Sequence, residues 1–292
     1  MSTAIRVLQG QFGRVALLNM DHPLVNHAHS QCHVLIKTGG SDTFFRVKGR
    51  YYPLNENTAV LINAWESHAY THHVAGAPQT VILAFYIEPT WLCEIDRSFI
   101  LSNSCNFFLQ SCVQLPRNIR NLSDELAAQM LYGEQLSGDE LQAQLSNLMV
   151  LIIDAFSQWR RRSTLGSIDL PHIQDFRIRR AISFMRANAG MEIDMKELAA
   201  EACLSRAHFF KLFHQQTNLT PSLYNNILRV EAAIHGLTET HQSMNMLSLG
   251  LGFNAQSHFT RFFQQHTGVA PSQYRRVVDI YGARAEREAR VQ

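Results

Sequence analysis

The chain has 292 residues, of which 46% are hydrophobic and 17% charged, a composition typical of a globular protein of about two domains. Five scattered cysteines without a CxxC pair argue against a disulfide framework or a zinc ribbon. No signal peptide is evident, and no apolar run is long enough to span a bilayer, so we expect a cytoplasmic protein without a membrane segment.

Short strand-like runs dominate the first part of the chain. Turn residues separate five apolar runs, at residues 13–20, 33–38, 43–49, 58–64 and 80–87. Many short strands at such spacing predict a β-sandwich or a small barrel.

Histidines are dense within this strand-rich part. Because alternate residues of a strand face the same side, His27 and His29 are expected to face the barrel interior together, with His68 arriving from another strand. The spacing resembles the metal-binding motif of cupins, with His33 in the place of the acidic ligand. Three or four converging imidazoles would suit Zn, Ni, Cu or Fe. A metal-free effector pocket, plain packing and a solvent-facing surface are the alternatives.

Helical periodicity begins after about residue 91. Residues 121–132 and 139–160 carry apolar residues at helical spacing, and a stripe from Leu141 to Phe156 predicts either packing on the barrel or a dimer interface. Small, polar and turn residues at 163–171 predict a linker between domains. Because this linker has few apolar side chains, we expect the two flanking cores to fold separately.

The C-terminal part contains an internal repeat. Residues 207–226 and 257–276 are identical at eight of 20 positions, which predicts a duplicated supersecondary unit. In each copy a shorter helix, at 195–202 and at about 243–250, precedes the repeated helix across a tight turn, as in a helix-turn-helix. Residues 174–276 hold 11 Lys and Arg against seven Asp and Glu, a net charge of +4, which favours a polyanion as the partner.

The two repeated helices are predicted to expose matching faces. Phe209 and Phe213 point inward in the first copy, as do Phe259 and Phe263 in the second. Outward polar residues near a helix N-terminus can hydrogen-bond to base edges in the major groove. A plain helical bundle would also expose polar residues, but two copies of the same pattern favour DNA binding. The DNA-binding candidates are Arg206, Ala207, Phe210, Lys211, Gln256, Ser257, Thr260 and Arg261.

Residues 247–276 resemble the signature of the AraC/XylS family of transcription regulators. The matching features are Gly252-Phe253, Ser257 with Phe259, Arg261 with Phe263, Gly268 with Pro271, and Tyr274-Arg275. Residues 198–213 resemble the first half of the signature. The chain departs from it at Leu247-Ser248, where the family has Ile-Ala, and at Asn218, where it has Gly.

The resemblance implies an α+β protein in which a cupin-like β-barrel and its helices precede an all-α domain. That domain would contain two helix-turn-helix subdomains joined by a long helix at about 221–236. We expect a sensing and dimerisation domain at 1–162, a linker at 163–173, the DNA-binding domain at 174–280 and a polar tail at 281–292.

The function implied is that of a sequence-specific transcription regulator, not an enzyme. The barrel would sense a small effector, with His27, His29, His33 and His68 as pocket candidates. The expected partners are double-stranded DNA, the effector, a second copy of the chain and RNA polymerase, with no cofactor, no membrane and no committed metal site. The alternatives are a cupin-type metal-binding protein or enzyme with a helical accessory domain, and a protein-interaction bundle.

Overall fold

The structure is a computed structural model that describes residues 2–71, 78–95, 107–133, 137–157 and 175–281. The predicted linker at 163–173 and all but the first residue of the predicted tail lie outside these ranges. The domain boundaries at those places therefore stay predictions.

In the described part of the chain the strands are β1 (Thr3–Gly10), β2 (Gly13–Met20), β3 (Cys32–Gly40), β4 (Thr43–Val47), β5 (Arg50–Leu54), β6 (Thr58–Ile62), β7 (His68–Thr71), β8 (Thr80–Ile87), β9 (Cys112–Gln114) and β10 (Val278–Ile280). They form two sheets. Among these described strands, the larger sheet has seven in the order β10-β1-β2-β8-β3-β6-β9, and the smaller has three in the order β5-β4-β7. Their pairings are antiparallel except that of β1 with β10.

Side-chain alternation gives the larger sheet two buried faces. On β8, Ile82 and Ala84 belong to the core shared with the smaller sheet, whereas Leu83 and Phe85 face the helices that cover the opposite side. Both faces are apolar because both are covered, which explains the near-continuous hydrophobic run at 80–87. We refer to the two sheets together as the sheet domain.

The covering helices are α1 (Pro89–Ile95), α2 (Arg117–Tyr132) and α3 (Gly138–Phe156). The predicted stripe of α3 is buried in the core beneath the sheet, with Leu141 and Leu145 fully inaccessible to solvent. This favours packing over dimerisation as the role of the stripe. Within the described ranges, no helix is both long and apolar enough to cross a membrane.

Within residues 175–281 the structure has seven helices. They are α4 (Phe176–Ala187), α5 (Met195–Glu201), α6 (Arg206–Thr217), α7 (Pro221–Glu239), α8 (Met244–Gly250), α9 (Gln256–Thr267) and α10 (Pro271–Val277). The C-terminal domain is helical, as predicted, and at its end Val278–Ile280 add the short strand β10, which pairs in parallel with β1. The pairing satisfies backbone groups of β1 that an edge strand would leave open.

The two parts of the chain share a core, which differs from the two separate cores that the sequence predicts. One buried cluster contains Ala16 and Leu35 of the sheet domain together with Leu247, Phe259 and Phe263 of the C-terminal helices. The β1–β10 pairing brings α10 onto the sheet domain, and Arg6 adds an ion pair with Asp279 at 2.7 Å. Each part thus covers apolar surface of the other. This contact does not depend on how apolar the segment between the two parts is.

Candidate DNA-binding surface and effector cavity

The helix pair α5–α6 has the packing predicted for a helix-turn-helix. Phe209 and Phe213 are fully buried, and Ser205 caps α6 by accepting a hydrogen bond from the His208 N–H. The turn between the helices includes Cys203 at φ 54°, and α6 ends at Asn218 at φ 59°, a left-handed position that asparagine tolerates.

The pair α8–α9 repeats this arrangement. Phe259 and Phe263 are fully buried, and α9 ends at Gly268 with φ 80°. The connection between the helices is one residue longer than in the first copy, and its left-handed position is taken by Gly252 at φ 72°. Ser243 caps α8, but α9 has no side-chain cap because Ala255 occupies its N-cap position.

Identical residues of the repeat have identical structural roles. The Thr217 hydroxyl donates to the Phe213 carbonyl oxygen, and the Thr267 hydroxyl donates to the Phe263 carbonyl oxygen, both at 2.8 Å. The ring of Tyr224 packs edge-on against Phe213 with centroids 5.6 Å apart, and the ring of Tyr274 packs against Phe263 at 5.7 Å. These positions therefore maintain the packing of each subdomain.

Six of the eight DNA-binding candidates are exposed. Phe210 and Thr260 are half-buried instead. Phe210 packs against the core of the first subdomain, and the Arg206 guanidinium carbon lies 5.4 Å from the centroid of its ring. Part of the Phe210 side chain is thus used in packing, and the first helix offers fewer free outward groups than its sequence suggests. The exposed candidates are Arg206, Ala207, Lys211, Gln256, Ser257 and Arg261.

The four histidines converge inside the sheet domain. All are buried, and a backbone pairing of His27 with His68 brings the loop before β3 next to β7. The ring centroid of His29 lies 4.8 Å from that of His33 and 4.9 Å from that of His68. The centroids of His27 and His68 are 4.3 Å apart. Burial lowers the pKa of His33 and of His68 to about 3, and lowers the pKa of His27 and His29 well below its usual range. All four imidazoles are therefore neutral at neutral pH.

A cavity of about 320 Å³ lies next to this cluster, between the sheet domain and the C-terminal helices. Side chains from β2, β8 and the loop before β3 line one wall, and α7 lines the other, with the end of α9 closing one side. The lining includes Arg14, His27, His29, Tyr86, Glu88, Val230, Glu231, Ile234 and His266. A molecule bound here would contact both the sheet domain and the helix that joins the two helix-turn-helix subdomains.

Polar contacts connect the two walls. The Ser30 hydroxyl donates to a carboxylate oxygen of Glu231 at 2.8 Å, and burial raises the pKa of the Glu231 carboxyl. Within the sheet-domain wall, the Arg14 guanidinium carbon lies 3.8 Å from the centroid of the Tyr86 ring. Sequence reasoning missed Arg14, Tyr86, Glu88 and Glu231, because no local pattern shows that residues so far apart in the chain meet at one cavity.

Two known protein-family models match this chain, one in its N-terminal part and one in its C-terminal part. A model described as an AraC-like ligand binding domain matches residues 18–152, and a helix-turn-helix domain model matches residues 198–277. The chain belongs to the AraC family of transcription regulators. It is therefore a ligand-responsive regulator with an N-terminal sensor domain and a C-terminal DNA-binding domain.

Solved structures of ToxT from Vibrio cholerae have a similar fold. One matches with a TM-score of 0.50 at 13% identity, covering 95% of this chain and 97% of that one. Another, of ToxT bound to (E)-4-(8-methylnaphthalen-1-yl)but-3-enoic acid, matches with a TM-score of 0.51 at 13% identity, covering 95% and 98%. No curated protein matches the sequence of this AraC-family chain.

Proposed function

We propose that this AraC-family protein reads two adjacent major-groove segments of DNA with α6 and α9, and changes its regulatory state when a small polar molecule enters the cavity beside α7. The observation that carries the proposal is the position of that cavity, which is lined by the sheet domain, by α7 and by the end of α9. The protein acts as a regulator and not as an enzyme, because its two parts match a ligand binding domain and a helix-turn-helix domain.

The DNA-binding side rests on the exposed faces of the repeated helices. Arg261 on α9 and Lys211 on α6 are exposed and equivalent in the repeat, and Gln256 and Ser257 lie in the first turn of α9. Arginine, glutamine and serine side chains at such positions can reach base edges, while lysine and arginine also contact phosphates. A cytoplasmic location is part of the same proposal, because the partner is DNA.

The sensing side rests on the lining of the cavity. Its volume of about 320 Å³ is suited to a small molecule, and its walls carry Arg14, Glu88 and Glu231 together with imidazole groups. We therefore infer a polar effector with both donor and acceptor groups. ToxT, which has the same fold, has been solved with a small organic acid. A ligand that binds more tightly to one arrangement of the sheet domain and α7 would shift the protein toward that arrangement.

Homodimerisation and contact with RNA polymerase stay predictions of the family resemblance. The apolar stripe of α3 is buried beneath the sheet. A dimer would therefore need a different surface of this chain.

The DNA footprint of one protomer is expected to show two protected patches about one helical turn, or roughly 34 Å, apart on one face of the duplex. The two patches should differ in sequence, because α6 and α9 present different side chains. Hydroxyl-radical footprinting of the full chain on a site found by genome-wide binding measures this. A single protected patch would show that only one of the two helices enters the groove.

Filling the cavity is expected to abolish the effector response without preventing DNA binding. Val230 lines the cavity from α7, and Val230→Phe would place a larger side chain in the space that the effector needs. Reporter activity from a bound promoter should then stay constant across growth conditions that change the wild-type activity, while promoter occupancy persists. Val150→Phe on the exposed side of α3 is the matched control. A full response in Val230→Phe would place the effector elsewhere.

A further inference from the structure

Three of the buried histidines bring their ring nitrogens close together. Binding of a polar effector in the cavity does not explain this arrangement. His29, His33 and His68 each offer one ring nitrogen such that the three atoms all lie within 4.8 Å of one another. The side chains come from the loop before β3, from β3 itself and from β7, so three separate parts of the sheet domain hold them in place.

Backbone hydrogen bonds fix the orientation of the three rings. The Nδ1 atom of His29 lies 3.0 Å from the Gln31 carbonyl oxygen, that of His33 lies 2.8 Å from Phe85 O, and that of His68 lies 2.8 Å from Glu66 O. A carbonyl oxygen only accepts, so Nδ1 must carry the proton and donate. In a neutral imidazole the Nε2 atom then holds a free lone pair. A backbone carbonyl bonded to the far ring nitrogen is also the usual support of a metal-bound histidine.

Two of the three lone pairs, those of His29 and His68, have no hydrogen-bond partner among the described residues. The Nε2 atoms of both residues are buried, since His29 is only 8% exposed and His68 is fully inaccessible to solvent. Leaving a buried polar atom unsatisfied costs about 1–3 kcal/mol, so two such atoms in one cluster point to a missing partner. The buried carboxylate of Glu66, two residues before His68, is already paired with Lys48 and accepts a hydrogen bond from the Asn63 N–H.

We propose that His29, His33 and His68 together bind one divalent transition-metal cation. Their nitrogen-only donor set suits Zn²⁺ and its neighbours Co²⁺, Ni²⁺ and Cu²⁺, whereas Mg²⁺ and Ca²⁺ require oxygen ligands.

The ring spacing agrees with this assignment. With metal–nitrogen bonds of about 2.0–2.1 Å, three imidazoles on a tetrahedral ion have centroids about 5.2 Å apart. The three observed centroid distances are 4.8, 4.9 and 5.4 Å. The centroid spacing therefore suits a shared ion, and binding would have to draw the three ring nitrogens closer than their present separation of up to 4.8 Å.

The fourth position of such an ion would be reached from the cavity, because His29 belongs both to the cluster and to the cavity wall. A site with three protein ligands and one open position binds a water molecule or a ligand donor atom. The metal site goes beyond effector sensing and does not depend on it, so its test uses neither DNA nor transcription.

The test is metal binding by the full chain, purified without a polyhistidine tag and stripped with a chelator. Titration with Zn²⁺, followed by calorimetry and elemental analysis after gel filtration, should give one ion per chain and a raised melting temperature. Co²⁺ should give the visible absorption of a nitrogen-coordinated tetrahedral site. His29→Gln and His68→Gln should each weaken Zn²⁺ binding by at least about 100-fold, since even losing a supporting contact costs 10- to 100-fold.

The matched control is His235→Gln, which changes an exposed histidine of α7 on the opposite wall of the same cavity and should leave Zn²⁺ affinity unchanged. Melting of each stripped variant shows whether it folds. The wild-type titration tests metal binding even if a variant does not fold. No stoichiometric binding by the wild type, or equal binding by His29→Gln, His68→Gln and the control, would overturn the proposal.

Discussion

Phe263→Ala is expected to lower the free energy of unfolding by about 3–5 kcal/mol. The Phe263 ring is fully buried in the cluster that the sheet domain shares with the second helix-turn-helix, and it packs against Phe259 and Tyr274. Truncation removes apolar surface from that core and leaves a cavity that the neighbouring rings can only partly fill. Because the core is shared, the loss should destabilise both parts of the chain together.

Urea denaturation of the full chain, followed by both fluorescence and circular dichroism, measures this loss. His258→Ala is the control, since it removes an exposed side chain from the same helix and should change stability by less than about 0.5 kcal/mol. If Phe263→Ala unfolded α9 while the sheet domain kept its wild-type transition, the shared core would not couple the two parts.

Arg261→Ala is expected to weaken specific DNA binding by about 1–3 kcal/mol, the range for loss of a bidentate contact between arginine and guanine. Arg261 is exposed on the outward face of α9, opposite the buried Phe259 and Phe263. The loss should fall on one or two base positions of the site, because a base contact carries sequence information and a phosphate contact does not.

Two further variants separate base reading from charge. Arg261→Lys keeps the charge but loses the planar pair of donors, so it should relax specificity nearly as much as Arg261→Ala. Arg276→Ala removes the same charge from an exposed position on α10 and should weaken binding to all sequences equally. Quantitative binding to a library of site variants measures each case. Unchanged affinity and specificity in Arg261→Ala would show that α9 is not the second recognition helix.

The sequence by itself determined the DNA-binding half in detail. Periodicity fixes which face of a helix is apolar, so the inward places of Phe209, Phe213, Phe259 and Phe263 could be predicted and are confirmed. Capping by Ser205 and the left-handed end at Asn218 also follow from local chemistry. The strands at 13–20 and 80–87 were predictable for the same reason, since their apolar runs are local.

The histidine cluster was only partly predictable. The sequence predicts that His27 and His29 lie on one strand and face the same side, whereas the structure places both in the loop before β3. Such a local pattern also gives no distance from them to His68. Backbone pairing between the loop before β3 and β7 decides that distance. The sequence therefore identified the residues, and the tertiary structure decided that their rings lie within one cluster.

Only the tertiary structure decided how the two halves meet. The pairing of β10 with β1, the shared core around Phe263 and the cavity between Arg14 and Glu231 all join residues that are more than 200 positions apart. Local periodicity carries no information about such contacts, because they depend on which apolar surfaces and strand edges remain uncovered after each part has folded. The chain thus encodes its helices and its reading faces locally, whereas the connection between sensing and DNA binding arises from long-range packing.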